Sequence, residues 1–280
     1  NKFTVVLIMK IKSYAKLNLT LEILGRNSSN MHEISGIFQN INLFDEIEIL
    51  ESNFDSVNTF NFDIIQEDNL AFKALKLMKK ELSINNFFKV NIHKNIPLSS
   101  GLGGGSSNAA AIIFALNRMM NLNLTISDMV SISKMLGSDI PFFFTGGTCY
   151  VTGVGENVEK LNRIFIDKIN LNTINLDIKN KTKKMYGFIE QKNFSNGDKT
   201  DELKKLIMSS SKILPSHLYN VFFDIAKLKF KEVSIQSLKM TELFNNCALS
   251  GAGMTLFSIS ENNINFKKYK AVDMGLEIAI

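Results

Sequence analysis

The sequence contains few of the residues that build metal centres and disulfide frameworks. It has two cysteines and three histidines in 280 residues. Cys149 and Cys247 lie far apart, and neither belongs to a CxxC pair or has a histidine at metal-ligand spacing. We expect both to be buried free thiols. No zinc site is expected from His32, His93 and His217, because they are scattered along the chain.

Arginine is also scarce, since only three of the 32 basic residues are arginine: Arg26, Arg118 and Arg163. The net charge of +5 comes from lysines that are dispersed, with a mild cluster at residues 179–184. Proteins that bind nucleic acid usually gather Arg and Lys on one face. We therefore expect no nucleic-acid partner, whereas a basic balance is compatible with a polyphosphate ligand.

Long apolar runs are missing as well. No stretch approaches the roughly 20 residues that a membrane helix needs. Residues 5–9 are too short for the core of a signal peptide, and no small-residue cleavage site follows them. With a hydrophobic fraction of 45%, the chain is expected to be globular and cytoplasmic, without a membrane partner. Whether the native chain starts at Asn1 or Met9 stays open.

Strand-like and helix-like patterns follow one another along the chain. Alternation or apolar character predicts strands, whereas amphipathic or alanine-rich stretches predict helices. The pattern changes around residues 157–168, which indicates a domain boundary. The predicted extended segments are residues 11–23, 38–49, 88–92, 141–150, 169–178 and 254–259, and the predicted helices are 70–82 (capped by Asp68-Asn69), 108–120, 125–136, 184–189 and 201–209.

A glycine-rich turn, PLSSGLGGGSS at residues 97–107, is the strongest motif. Its glycines allow positive φ angles and close approach to a ligand. Ser106 and Ser107 are suitable caps for the following helix, whose free N–H groups favour phosphate. It is not a Walker loop, because no Lys-Ser or Lys-Thr follows, and Ser106 stands where a dinucleotide fingerprint has its third glycine. A plain flexible loop is the alternative.

A lysine and an aspartate far apart in sequence form the second signal. Lys16 lies inside an apolar strand, where its charge needs a partner or a ligand. Asp139 lies between Gly137-Ser138 and Pro141, at a junction of elements. Beside a lysine, this carboxylate would stay ionised and could orient or deprotonate an alcohol. Taken singly, each residue is more often part of a structural ion pair. A further turn at residues 250–253 is a weak signal.

These motifs together resemble the GHMP small-molecule kinase superfamily, over about residues 10–260. That superfamily has an early strand bearing lysine, a PxxxGLG(x)SS phosphate turn and a late glycine turn. The matching segments occur in family order: Ala15-Lys16-Leu17-Asn18-Leu19, Gly25-Arg26 with His32-Glu33, Glu67-Asp68-Asn69-Leu70, the turn from Pro97 through Ser106-Ser107-Asn108-Ala109-Ala110, and Gly137-Ser138-Asp139-Ile140-Pro141.

The doubled glycine and the Ser-Ser-Asn-Ala-Ala ending resemble the branch of the superfamily that acts on a cytidine diphosphate-linked methylerythritol. The resemblance implies phosphoryl transfer from ATP, accompanied by Mg²⁺, to the 2-hydroxyl of that small molecule. It also implies an α+β fold with two domains, a ribosomal-protein-like one at residues 1–160 and a ferredoxin-like one at residues 161–280, with the site in the cleft. A monomer or weak homodimer is expected.

The resemblance also implies roles for individual residues. Asp139 matches the catalytic base and Lys16 its electrostatic partner. The substrate would be held by Asn18 and Thr182 at the polyol, by His32 and Tyr186 at the cytosine, and by Met31. ATP would be bound by Asn69, Lys94, Pro97, Leu98, Ser99, Ser100, Gly101, Leu102, Gly103, Gly104, Gly105, Ser106 and Ser107, and Ser107 would contact Mg²⁺.

Two positions depart from the pattern of this branch. Met31 stands where tyrosine usually precedes the histidine, and Ala252 stands where a hydroxyl residue is usual. Other members of the superfamily, acting on homoserine, mevalonate or a sugar, are therefore alternatives. So is a non-catalytic nucleotide-binding protein on the same fold, although the presence of both Lys16 and Asp139 speaks against it.

Overall fold

The computed structural model describes residues 8–176, 178, 180–259 and 267–279. These residues form strands in two sheets, with helices packed on them, so the predicted α+β class is confirmed. The strands are β1 (Ile8–Arg26), β2 (His32–Ser52), β3 (Ser56–Phe60), β4 (Phe87–His93), β5 (Thr148–Gly153), β6 (Asn157–Lys160), β7 (Ile169–Thr173), β8 (Tyr219–Asn220), β9 (Ala248–Leu249), β10 (Thr255–Ile259), β11 (Lys268–Tyr269) and β12 (Leu276–Ala279). The helices are α1 (Leu70–Glu81), α2 (Gly104–Met119), α3 (Ile126–Ser133), α4 (Ile140–Thr145), α5 (Lys181–Gly187), α6 (Asp198–Met208), α7 (Val221–Lys229) and α8 (Lys231–Phe244).

The larger sheet is built around the long antiparallel pair β1 and β2. Its strand order is β12-β1-β2-β4-β3, with β5 joined to β2 and β6, and β8 joined to β1. The middle of β1 is buried on both faces. Leu17 and Leu19 enter one apolar core, so strand alternation turns Lys16 and Asn18 to the opposite face. Irregular register on both sides of residues 16–18 bends the strand at this point.

Helices α1 and α2 cover this sheet on the side of the main core. Helix α2 is rich in alanine, and most of its length is buried, which lets it approach its neighbours closely. Helix α1 begins where the sequence predicts, because the side chain of Asn69 accepts a hydrogen bond from the backbone of Ala71 at 2.9 Å. No helix in the described part of the chain is long and apolar enough to cross a membrane.

The smaller sheet has the order β11-β7-β10-β9 and packs against α8. It lies within the predicted second domain. However, β8 and β12 of that same stretch of sequence pair with β1 of the larger sheet. The division at residue 160 stays a proposal.

The structure corrects the prediction of one strand over residues 141–150. Residues Ile140–Thr145 form helix α4, and the strand β5 begins only at Thr148. A short apolar run does not reveal its own periodicity, and Pro141 stands in the first turn of α4, where proline is tolerated. Helices α7 and α8 were not predicted. The strand expected at 169–178 ends at Thr173, and residue 177 lies outside the described residues.

Candidate active site

A cavity of about 870 Å³ lies between the glycine-rich turn, β1, the beginning of α4, α5 and the turn at residues 250–253. Most of the predicted site residues line it. The lining includes Lys16, Asn18, Asn69, Lys94, Pro97, Leu98, Ser99, Ser100, Gly101, Gly103, Gly104, Gly105, Ser106, Asp139, Thr182 and Tyr186. Met31, His32, Leu102 and Ser107 are not part of the lining.

Lys16 and Asp139 meet on the wall of the cavity. The Nζ atom of Lys16 lies 3.2 Å from Oδ2 of Asp139 and donates a hydrogen bond to Oδ1 of Asn18 at 2.7 Å. The lysine is 3% exposed, whereas the side chain of the aspartate is 33% exposed. One side of the carboxylate is therefore accessible to a ligand, and the buried ammonium of Lys16 contacts it on another side. Asp139 directly precedes α4, and this position points it into the cavity.

The glycine-rich turn runs from the end of β4 to the start of α2. Helix α2 begins at Gly104, and its cap is Gly103 with a left-handed φ of 73°. The expectation that Ser106 or Ser107 caps the helix was wrong, because both lie inside its first turn. A glycine cap leaves the backbone N–H groups at the helix start without a side-chain partner. Free donors at a helix N-terminus suit an anion, phosphate included.

The turn at residues 250–253 interlocks with the glycine-rich turn. The hydroxyl of Ser250 donates to the carbonyl of Gly101 at 3.1 Å, and the backbone of Thr255 donates to the carbonyl of Ser100 at 3.0 Å. A Cβ on Gly101 would lie 2.2 Å from the carbonyl oxygen of Ser250. The turn at residues 250–253, which is a weak signal in the sequence, therefore supports the glycine-rich turn in the structure.

Lys94 lies at the base of the cavity and is engaged by a buried carboxylate. Its ammonium forms an ion pair with Asp45 and donates to Oδ1 of Asn108 at 2.8 Å. Asp45 also accepts backbone hydrogen bonds from Asn95 and Ile96. Burial lowers the pKa of Lys94, and the charge of Asp45 opposes that shift. Asp45 was missed from the sequence because its partner is 49 residues away.

His32 packs against Tyr186, which lines the cavity. Their ring centroids are 5.2 Å apart with a tilted arrangement. Nε2 of His32 is buried and has no hydrogen-bond partner among the described residues. Burial lowers the pKa of His32, and the charge of Arg26 lowers it further, so both favour the neutral imidazole. Burial and the nearby Asp139 raise the pKa of Tyr186. Met31 is exposed, at the β1–β2 turn.

Ser107 does not face the cavity. Its side chain is fully buried, and its hydroxyl donates to the carbonyl of Tyr14 at 2.9 Å. The geometry therefore gives no support to Ser107 as a magnesium contact. No group of three or more His, Cys, Asp or Glu residues within the described ranges is arranged to hold a metal ion.

Two features of the site and its surroundings remain. Lys181, which the sequence analysis did not single out, lines the cavity and donates a hydrogen bond to the carbonyl of Ser99. Its place in the lysine cluster at residues 179–184, directly before Thr182, could have drawn attention to it. Both cysteines are free, with Cys149 buried and Cys247 half-buried, and burial raises the pKa of each to about 12. The expected free thiols are thus confirmed for both, and the expected burial for Cys149 alone.

Residues 69–147 match the family model for the GHMP kinases N-terminal domain. The 4-diphosphocytidyl-2-C-methyl-D-erythritol kinase of Clostridium botulinum is 32% identical to this chain over 274 residues, which is 93% of this chain and 94% of that protein.

Solved structures show the same fold. A crystal structure of 4-(cytidine 5'-diphospho)-2C-methyl-D-erythritol kinase superposes with a TM-score of 0.76, at 23% identity and 91% coverage of both chains. A homoserine kinase from Cytophaga hutchinsonii superposes with a TM-score of 0.70, at 14% identity and 97% coverage of both chains. The fold is thus the one that GHMP kinases share, and sequence identity places the protein within it. The chain belongs to the 4-diphosphocytidyl-2-C-methyl-D-erythritol kinase family.

Proposed function

We propose that this protein is a kinase that transfers the γ-phosphoryl group of ATP to the 2-hydroxyl of 4-diphosphocytidyl-2-C-methyl-D-erythritol, a step of the non-mevalonate route to isoprenoid precursors. One observation carries the proposal. An ion pair between Lys16 and Asp139 lies in the same cavity as a glycine-rich turn whose helix N-terminus has free donors. The names of the relatives supply the substrate.

The chemistry follows from positioning and charge. Phosphoryl transfer demands little covalent participation by the protein. The carboxylate of Asp139, which is accessible on one side, accepts the proton of the 2-hydroxyl. At the same time the hydroxyl oxygen bonds to the γ-phosphorus, and the bond between that phosphorus and the leaving ADP breaks. Lys16 stabilises the negative charge that spreads over the phosphoryl oxygens, and its ion pair holds the carboxylate of Asp139 in place. Asn18, bonded to Lys16, orients both the lysine and the polyol.

ATP is proposed to occupy the side of the cavity formed by the glycine-rich turn. The backbone of Gly103, Gly104 and Gly105 would receive the phosphates, and Asn69 and Lys94 would lie towards the adenine and ribose. The ion pair of Lys94 with Asp45 makes it a buried support of that wall. Mg²⁺ accompanies ATP and neutralises β- and γ-phosphate charge in kinases generally. Its contacts are proposed to come mainly from the nucleotide, with Ser106 as one hydroxyl of the turn that lines the cavity.

The cytidyl end of the substrate is proposed to meet His32 and Tyr186. The buried, unpartnered Nε2 of His32 is a suitable group for a base edge, and the ring of Tyr186 offers a stacking surface. Thr182 lines the cavity one helical turn before Tyr186, where the polyol would pass. Met31 would lie at the rim. A cytoplasmic setting and a monomeric or weakly dimeric state are also proposed, on the sequence alone.

The decisive experiment is to incubate the protein with Mg-ATP and 4-diphosphocytidyl-2-C-methyl-D-erythritol and to search for the 2-phosphate by mass spectrometry. We expect that product, and cytidine nucleotides should compete with the acceptor. Homoserine, mevalonate and a hexose serve as alternative acceptors in parallel reactions. The proposal would be wrong if a folded, ATP-binding sample phosphorylated one of these three alternative acceptors instead, or no acceptor at all.

A further inference from the structure

Lys181 is a buried cation in the wall of the cavity. It is the first residue of α5, is 8% exposed, and its ammonium reaches across to the carbonyl of Ser99. Ser99 itself has a left-handed φ of 52°, which is unusual for a residue with a side chain. The lysine thus joins the helix of Thr182 and Tyr186 to the glycine-rich turn.

The charge of Lys181 is compensated differently from that of its neighbours. The other two buried lysines of the cavity have carboxylate partners, Lys16 with Asp139 and Lys94 with Asp45. For Lys181 no carboxylate lies within ion-pair distance among residues 8–176, 178, 180–259 and 267–279. A carbonyl offers only a partial negative charge, and a buried ammonium without a counter-ion is costly. Desolvation accordingly lowers the pKa of this lysine.

An anion in the cavity would remove that cost. An ammonium has three N–H donors, and one of them is used by the carbonyl of Ser99. No further partner for the other two is found among the described residues, and Lys181 lines the cavity next to the turn whose backbone suits phosphate. The hydrophilic tip sits on a flexible four-carbon stem, so small movements suffice to reach a phosphate oxygen.

We propose that Lys181 is an additional phosphate-binding residue of this site: it holds the glycine-rich turn through the carbonyl of Ser99 and donates its other N–H groups to oxygens of the nucleotide polyphosphate. The proposal rests on the proposed function in that the anion is taken to be the phosphate chain of ATP. Its effect would be on the affinity for phosphate, and the adenosine part of the nucleotide would be recognised elsewhere.

The test compares three variants by calorimetric titration with ATP and with adenosine, without an acceptor. Lys181→Gln removes the charge but retains a donor for Ser99, and we expect ATP affinity to fall roughly tenfold while adenosine affinity stays within about twofold. Lys181→Arg retains the charge and should bind ATP within about threefold of the native protein. Lys184→Gln is the matched control, because Lys184 lies on the same helix but is exposed and outside the cavity lining.

Two results would overturn the inference. Unchanged ATP affinity in Lys181→Gln would show that the lysine does not touch phosphate. An equal loss of ATP and adenosine affinity, without rescue by Lys181→Arg, would show that it only holds the turn in shape. Neither result depends on the acceptor, so a failure of the proposed substrate, seen as the absence of the 2-phosphate with the native protein, is recognised separately.

Discussion

At the scale of single residues, the pair of Lys16 and Asp139 decides whether the cavity is a site of chemistry. The buried lysine fixes the position of the carboxylate, and the exposed side of the carboxylate is left for a reacting group. In Asp139→Asn the side chain keeps its size and shape, but the proposed proton acceptor is lost. We expect kcat to fall by roughly a hundredfold or more with a much smaller change in ATP affinity, measured by steady-state kinetics and titration.

The control for that variant is stability. Because Asp139 is the carboxylate partner of the buried Lys16 but is itself one-third exposed, the asparagine variant should lose about 1 to 3 kcal/mol of stability and still be folded under the assay conditions. A variant that folds normally and phosphorylates at the native rate would rule out Asp139 as the base.

The imidazole of His32 gives a prediction on pH. Burial and the charge of Arg26 hold its pKa below the ordinary 6.5, so the folded state resists protonation. The stability that this neutral ring contributes is complete above about pH 6.5 and is lost as the pH falls through the lowered pKa. NMR titration should give a midpoint below about 6.5, and Arg26→Ala should raise it only in part, because the burial remains. A native midpoint at or above 6.5 would contradict the burial seen here.

The residues that the sequence revealed are those with a local signature. Glycines in a dense turn and a lysine within an apolar strand both stand out from their neighbours, and the structure brings Lys16 to the same cavity as the turn. Asp45 and Lys181 have no such signature. Their partners lie 49 and 82 residues away, and a lysine in a lysine-rich segment looks like ordinary solvated surface until the fold buries it.

At the scale of elements, two turns support each other, and neither could be judged from its own sequence. The turn at residues 250–253 packs directly against the glycine-rich turn and is hydrogen-bonded to it. Gly101 has a φ of 87° and no space for a Cβ beside Ser250. We expect Gly101→Ala to lower the free energy of unfolding by about 3 kcal/mol, from left-handed strain together with the clash, and to weaken ATP binding.

Gly105→Ala is the matched control for this effect. Gly105 lies in the first turn of α2, and an added Cβ would make an ordinary contact with Leu70 at 3.4 Å. In denaturant unfolding the alanine should leave stability unchanged or raise it by about 0.5 kcal/mol. Equal losses in both variants would mean that the interlocking of the two turns contributes nothing.

The type of an element could be predicted where its hydrophobic pattern extends over several turns, and could not where the pattern covers only a few residues. Helix α1 has three turns of amphipathic pattern and a capping asparagine, and it begins as expected. Helix α4 has six residues, three of them consecutive phenylalanines, and such a run fits a strand equally well. The cap of α2 was misplaced for another reason: serines are common caps, but the backbone of Gly103 already turns the chain into the helix.

At the scale of the whole molecule, the larger sheet is completed by a strand from the far end of the chain. Strand β12 pairs with β1 over residues 276–279, some 265 positions away in sequence. Glu277 bonds to both Lys12 and Tyr14. Pairing over such a distance depends on every intervening element, so no local pattern predicts it. The sequence consequently indicated a division at residue 160 but not the return of the chain to the first sheet.

This returning segment also supports the side of the molecule that carries Asp139. Lys160 bonds to Asp273 and to the carbonyl of Gly146, just after α4, and Gly275 packs on the backbone of Phe143.

Deleting residues 272–280 would leave the edge of β1 unpaired and remove the contacts behind α4. We expect the free energy of unfolding to fall by about 3 to 5 kcal/mol, with turnover reduced even under conditions where the truncated chain is folded. In contrast, Glu277→Gln keeps the strand, loses the partly exposed ion pair with Lys12 and retains one oxygen that can accept from Tyr14, which should cost less than about 1 kcal/mol. Urea unfolding of the three proteins, followed by circular dichroism, makes the comparison. A truncated chain that unfolds at the native midpoint would show that β12 adds nothing to the stability of the sheet. The packing of this segment against α4 predicts the opposite, because Asp139 directly precedes that helix and is positioned by it.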